Sequence, residues 1–363
     1  MIENTVKKKQ HYLPKFYLRN FSYKSNAKQI GIYHLETGRY CQTSTLKDQG
    51  SKNFFYGADG IIEDHLSNVE GLLSKSIKKI VESSELPKPK SDDHYNLLMF
   101  ILLTDLRNPV RIKNTQEMLD VGKTLLQEQH PGQDIDALIP SINHEQAIGL
   151  ALSQLTEVLP MIDDLGYKFL VNKTKIPFIS SDFPIVKYNQ FLEKLKWKHG
   201  KTGFGTMGLQ VIVPLSPNLL VFFYDQAIYK IGDKKKGVID LKDEEDINQL
   251  NILQFVNCFE TTYFNGDMGK EYIIKIHDKA KKYPKPNVMK AEMHYMIKRG
   301  KKSIITHNNN NQKNLIITGS SDCETKLRLS FVRLQTGVTK TDFGDKASLI
   351  RAWPLRLMEL RGR

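Results

Sequence analysis

Residues 209–224, Leu209-Gln210-Val211-Ile212-Val213-Pro214-Leu215-Ser216-Pro217-Asn218-Leu219-Leu220-Val221-Phe222-Phe223-Tyr224, carry the reading on which the fold class turns. Leu209–Val213 and Leu219–Tyr224 are short runs of apolar, β-branched and aromatic residues, and such runs are strand signals. Tyr167–Val171, Pro177–Ser181, Val238–Leu241 and Tyr272–Ile276 read the same way. A helix is expected from about Glu244 to Glu260, so strands dominate from residue 166 onward.

Upstream the period changes. Ile62, Leu66, Val69, Leu73, Ile77 and Ile80 recur at helical spacing and predict a helix from Ile61 to about Ser83. Ser91-Asp92-Asp93 supplies a hydroxyl cap and first-turn acids for the next helix. That helix contains Leu97-Leu98-Met99-Phe100-Ile101-Leu102-Leu103, apolar on nearly every side, and belongs in the middle of the fold. Two further helices are expected, from Val110 to Gln129 and from Asn143, with Gln146 in the capping-box position, to Leu165. Before all of these, residues 29–44 read as two short strands around Glu36-Thr37-Gly38. The sum is an α+β class: N-terminal short strands and a helical bundle packed with a mostly antiparallel sheet.

One α+β domain over residues 1–280 is expected, with a helical part at 61–165 and a sheet part at 166–280. A basic connecting segment, 281–319, follows, and then a tail, 320–363. Residues 1–319 hold 39 Lys and 5 Arg, whereas residues 320–363 hold 3 Lys and 6 Arg. That shift, just after His307-Asn308-Asn309-Asn310-Asn311-Gln312, suggests a segment of different origin, expected to be peripheral or poorly ordered.

With 40% hydrophobic and 26% charged residues, the 363-residue chain has a globular composition. Its longest apolar run is far short of the roughly 20 residues that cross a bilayer, and MIENTVKKKQHY lacks the apolar core of a secretory signal. Cys41, Cys258 and Cys323 form neither a disulfide framework nor a CxxC pair, so a reducing cytosol and no membrane partner are expected. The formal charge of +13 makes a polyanion worth considering, although Lys-rich chains from AT-rich genomes also drift basic without one.

Several patterns could carry chemistry. Gly203-Phe204-Gly205-Thr206-Met207-Gly208 spells a dinucleotide fingerprint, but a strand follows where a helix N-terminus is needed, so it reads as a loop. Lys194, Lys196, Lys198 and Lys201 interleave with Trp197, where lysines could hold phosphates and the indole could stack on a base. A solvated hairpin or lid with one anchoring tryptophan is the favoured reading of the same residues. Glu63 and Glu70 lie seven residues apart on one helix edge and need cationic partners, for which His11, Arg19, Arg107 and Arg111 are candidates. They could be metal ligands or a general acid/base pair, or members of a structural salt-bridge network. Asp182 ends a buried strand, where it could serve as ligand or base with Ser181 as an auxiliary donor, or simply begin a turn set by Pro184.

His11-Tyr12-Leu13-Pro14 with Phe16-Tyr17-Leu18-Arg19-Asn20-Phe21, then Ile62-Glu63, Glu70-Gly71, Arg107-Asn108-Pro109, Phe178-Ile179-Ser180-Ser181-Asp182-Phe183-Pro184 and Pro214-Leu215-Ser216-Pro217 occur in this order. In that order they resemble the mostly bacterial family catalogued as domain of unknown function 4238, over roughly residues 10–275. The resemblance implies no particular activity. It does mark His11, Glu63, Glu70, Arg107 and Asp182 as the polar positions of the pattern and leaves the tail outside it.

Together these residues predict one polar pocket. The leading expectation is a metal-dependent phosphodiesterase or nuclease acting on nucleic acid: Glu63, Glu70 and Asp182 would hold a divalent metal, His11 would move a proton, and Arg107 would stabilise developing charge. The alternative is a nucleic-acid-binding or interaction protein without catalysis, in which the same residues form a structural network. An open cavity at which the five side chains converge would favour the first reading, and a sealed, mutually paired cluster the second.

Overall fold

A computed structural model describes residues 8–138, 141–197, 200–286, 290–299, 302–306, 315–320, 322–337 and 349–361. The chain opens with β1 (Lys9–His11), α1 (Lys15–Arg19), β2 (Gln29–His34), β3 (Tyr40–Thr45) and β4 (Ser51–Asn53). The helical part holds α2 (Ile61–Ser83), α3 (Asp92–Leu106), α4 (Pro109–Gln129), α5 (Ile135–Leu138), α6 (His144–Ser153) and α7 (Leu155–Ile162). The sheet part holds β5 (Gly166–Asn172), β6 (Ser180–Ser181), β7 (Val186–Tyr188), α8 (Gln190–Lys194), β8 (Gln210–Ser216), β9 (Leu219–Tyr224), β10 (Tyr229–Ile231), β11 (Val238–Leu241), α9 (Glu244–Asn257), β12 (Thr261–Phe264) and α10 (Lys270–Ala280). Beyond it lie β13 (Lys290–Arg299), β14 (Lys302–Thr306), β15 (Leu315–Ser320), β16 (Val332–Leu334) and α11 (Ala352–Arg361).

The quoted stretch forms the centre of the molecule. β8 and β9 pair antiparallel inside a five-stranded sheet of order β11-β5-β9-β8-β7, in which only the β11–β5 pair is parallel. Alternate side chains face opposite ways. Leu219, Val221 and Phe223 join a core with the N-terminal box, α2, α3 and α6. Leu220, Phe222 and Tyr224 join a second core with α9 and α10. The central sheet is therefore covered on both faces, which is why β8 and β9 are buried at every position and almost wholly apolar. A second sheet, β3-β2-β12-β6, is antiparallel throughout and packs Gly31 against the Phe264 ring, where a Cβ would come within 2.3 Å of a ring carbon. The architecture is α+β.

Helix boundaries follow their local signals. Ser91 accepts from the His94 amide, and Asn143 with Gln146 closes a reciprocal capping box. Asn108 caps α4 with Pro109 at its first position. The single helix expected from Asn143 to Leu165 is two, because an i to i+3 turn at Gln154 separates α6 from α7.

Two expectations are corrected. Tyr272–Ile276 is not a strand but the body of α10, because Ile273, Ile276, His277 and Ala280 supply a buried helical stripe that outweighs the local Tyr-Ile-Ile signal. The last strand of the second sheet is β12, just past Cys258 where α9 stops. The tail is not merely peripheral. Cys323, Leu327 and Leu329 are buried in the second core, β16 pairs with β10, and Arg351 pairs with Asp164 at 3.0 Å. Alternating apolar residues gain burial there whatever the segment's composition.

Candidate functional site

The N-terminal box is anchored by its apolar residues and by two hydrogen-bonded side chains. Tyr17 is fully buried and its hydroxyl donates to Pro214 O at 2.8 Å, tying α1 to β8. Gln10, also fully buried, donates to Gly57 O at 2.8 Å and accepts from the Tyr56 amide at 2.5 Å. Leu13 is held by its amide on Gly50 O, and Gly50 (φ +61°) has room only for hydrogen, since a Cβ would stand 2.7 Å from Leu13 Cβ.

His11 belongs to β1, which pairs with β4 in the register His11 to Ser51. It is 8% exposed, its Nε2 lies 3.1 Å from Lys47 O as a donor, and Tyr56 donates its hydroxyl to His11 O at 3.1 Å. Burial, with Lys15 and Arg107 adding repulsion, pushes the imidazole pKa down to about 4. Arg107, the C-cap of α3, is 1% exposed, with Nη1 2.7 Å from Glu70 Oε1. Its guanidinium also lies against the Tyr56 hydroxyl, and these two neighbours hold its pKa up against desolvation. Glu63 is half-buried on the same helix as Glu70, and the charges of both are felt at Tyr56. His11, Tyr56, Arg107 and Glu70 thus make one network, with Glu63 at its edge.

Asp182 makes another. It is 2% exposed, and its carboxylate accepts three backbone amides: Phe259 at 2.8 Å on Oδ1, and Glu260 at 2.7 Å and Thr261 at 2.9 Å on Oδ2. Burial pushes its carboxyl pKa up, opposed by those amides and by the Cys258 thiol. Ser181 donates to Gln254 Oε1 at 3.0 Å. Asn108 bridges the two networks: it follows Arg107 in sequence and donates to Asp182 O at 2.8 Å. Among the described residues, no three His, Cys, Asp or Glu side chains are grouped so as to hold a metal ion.

The loop Lys194–Lys201 is divided. Lys194 and Lys196 are exposed at the end of α8, and Trp197 is half-buried against the second core. Lys201 is 6% exposed and paired with Glu324, and its amide donates to Asp322. Lys198 lies outside the described residues.

The open surface lies beside these networks. A groove of about 430 Å³ is lined by Lys52, Phe54, Pro109, Lys113, His144 and Phe259 among others, with no carboxylate in its lining. Lys52 and Phe54 come from β4 and its exit, which β1 and His11 hold. Pro109 and Lys113 come from the start of α4, which Asn108 caps. Phe259 sits in the turn whose amides Asp182 collects. Lys52 Nζ stands 5.5 Å from the centre of the Phe259 ring. Phe54 is 43% exposed at φ +50°, a left-handed conformation costly for a non-glycine residue.

Sequence reasoning marked the frame and missed the lining. Lys52, Phe54, Lys113 and Phe259 belong to three segments with no motif of their own, Tyr56 lay among aromatic neighbours, and Gln10 lay between a lysine run and His11. The one available signal was Asn108-Pro109, a helix-start pair beside Arg107.

By fold this is an α+β domain whose N-terminal box and buried polar networks fix one basic, aromatic groove. The family model described as "Protein of unknown function (DUF4238)" matches residues 9–267, and the chain belongs to that family. No curated protein and no solved structure matches the chain. No helix among the described residues is long and apolar enough to cross a membrane.

Proposed function

We propose that this protein binds single-stranded nucleic acid without catalysis, through the groove between β4 and α4, and that the buried polar residues are its frame. One observation carries the reading: both Asp182 oxygens are taken by main-chain amides, while the groove beside them offers Lys52, Lys113, which pairs with Glu117 at 3.4 Å on the surface of α4, and three phenylalanines. Lysines neutralise phosphates, and an exposed ring stacks on bases of any sequence. The start of α4 adds its positive dipole end to the same groove. Free Cys41, Cys258 and Cys323 suit a reducing cytosol.

The hydrolytic alternative needs Glu63, Glu70 and Asp182 on one divalent ion. It is the weaker reading, because an Asp182 oxygen would have to abandon buried amides and Glu70 its pairing with Arg107.

The test is binding of a fluorescent oligonucleotide at several salt concentrations. The wild type should bind with a logarithmic salt slope that Lys52→Gln with Lys113→Gln makes shallower by about 1.4, roughly 0.7 per phosphate contact on a single strand. No binding by the wild type, or an unchanged slope in the double variant, rejects the groove. Cleavage of the oligonucleotide with magnesium or manganese, lost in a folded Asp182→Asn, would restore the nuclease reading.

A further inference from the structure

Residues 322–335 cross the domain without forming a helix: the chain kinks at Lys326, whose φ is +52°, and turns at Ser330 and Phe331 before β16. Cys323, Thr325, Leu327 and Leu329 are buried, whereas Lys326, Arg328 and Ser330 between them are exposed. Among the described residues, the segment joins a backbone ladder only at its far end, where β16 pairs with β10 and the Gln335 amide donates to Ile228 O at 2.8 Å. Before that, side chains of the domain take its main chain one group at a time. The Tyr188 hydroxyl accepts the amides of Thr325 at 2.9 Å and Leu327 at 3.1 Å, and Glu193 accepts that of Lys326 at 2.9 Å. Gln190 Nε2 donates to Leu327 O at 2.8 Å, and Asp246 accepts the Ser330 amide at 2.8 Å.

The head of the segment is acidic and meets complementary groups. Asp322 accepts from the Lys201 amide at 2.9 Å and the Thr202 hydroxyl at 2.7 Å, and Glu324 pairs with Lys201. Every domain residue named here lies within the family match of 9–267, and the segment lies wholly outside it. A space of about 580 Å³ remains along the seam, between Gln190, Glu193 and Tyr229 on one side and Leu327, Leu329 and Val332 on the other. A core strand would leave no such seam.

We infer that the face made by β7, α8, β10 and the start of α9 is a docking groove for a peptide kinked at one left-handed residue, and that residues 322–335 are its ligand, bound in cis. Its side chains read the main-chain amides of three consecutive residues, 325–327, which the kink at Lys326 presents to Tyr188 and Glu193. Selectivity comes from the pockets for alternate apolar residues and from the basic end at Lys201, which takes an acid-x-acid head. While docked, the head neutralises Lys201, a residue of the lysine loop.

The experiment uses the full chain with a protease recognition sequence inserted between Ser320 and Ser321, before and after cutting. The probe is a fluorescein-labelled peptide of residues 321–337, read by anisotropy. The cut chain should take up the peptide. The uncut chain should take it up at least tenfold more weakly, because a tethered occupant competes at millimolar effective concentration. Substitutions in the peptide avoid any question of folding. Leu327→Ala with Leu329→Ala should weaken uptake at least tenfold, Asp322→Asn with Glu324→Gln at least threefold, and Lys326→Ala with Arg328→Ala less than threefold. Equal uptake by cut and uncut chains, no uptake by either, or equal effects from the inward and outward pairs would overturn the proposal, as would loss of the native circular dichroism on cutting.

Discussion

Asp182 and Lys52 meet the same turn, Phe259–Thr261, from two regions with opposite charge rules. Asp182 is buried and surrounded by donors, three amides and a thiol. Lys52 is exposed and faces a ring rather than a carboxylate. A buried charge left unpaired is so costly that the interior admits it only with its partners in place. A solvated lysine can stay unmatched and keep its charge for a ligand. In this molecule the buried, paired residues Asp182, Glu70 and Arg107 are the frame, and under the proposed function exposed Lys52 is where binding free energy is to be sought.

The comparison breaks most sharply at Glu70. Glu70→Ala removes the carboxylate that pairs with buried Arg107 and should cost about 3–5 kcal/mol in a denaturant titration. A cost below about 1 kcal/mol would mean the ion pair is not structural. Asp182→Asn keeps one acceptor oxygen but sets an NH₂ against a buried amide, for an expected loss of about 2–3 kcal/mol. A variant of wild-type stability would show that the carboxylate is not needed for the turn.

On the groove side, stability and binding should separate. Phe54→Gly relieves a left-handed backbone (φ +50°) while removing an exposed ring. Stability should hold or rise by about 1 kcal/mol, while oligonucleotide affinity falls about 5- to 100-fold, the worth of one stacked base. Parallel losses of both would make Phe54 part of the frame. A smaller effect is expected from Lys52→Gln alone, which should lower the salt slope by about 0.7 and leave the unfolding midpoint nearly unchanged.

The pH dependence sharpens the same contrast. His11 and His277 have folded pKa values lowered to about 4 by burial, against 6.5 when unfolded. A depressed folded pKa means the unfolded state binds the proton better, so their contribution is fully present above about pH 6.5 and lost as the pH falls toward 4. His11→Gln should flatten that decline in part, as read from denaturant midpoints across the window. An unchanged profile would place the imidazole in contact with water.

Much of the fold was legible because its signals are local. The helical spacing of Ile62 to Ile80, the Ser91 and Asn143 caps and the apolar runs of β8 and β9 each decide structure within a few residues. Where two local signals competed, as in Glu271-Tyr272-Ile273-Ile274, the buried stripe that makes α10 a helix was set by what it packs against. For the site, sequence alone pointed to His11, Glu63, Glu70, Arg107 and Asp182 as a group, and Glu70 does meet Arg107. It could not show whether those groups face a cavity or one another. The amides that occupy Asp182 lie 77 to 79 residues further along the chain, and the acids that meet Lys201 and Thr202 lie about 120 residues beyond them. Residue type and spacing fix which side chains can carry charge. Only the tertiary structure decides which of those charges already have partners, because desolvation and pairing depend on chain segments that meet only in the folded state.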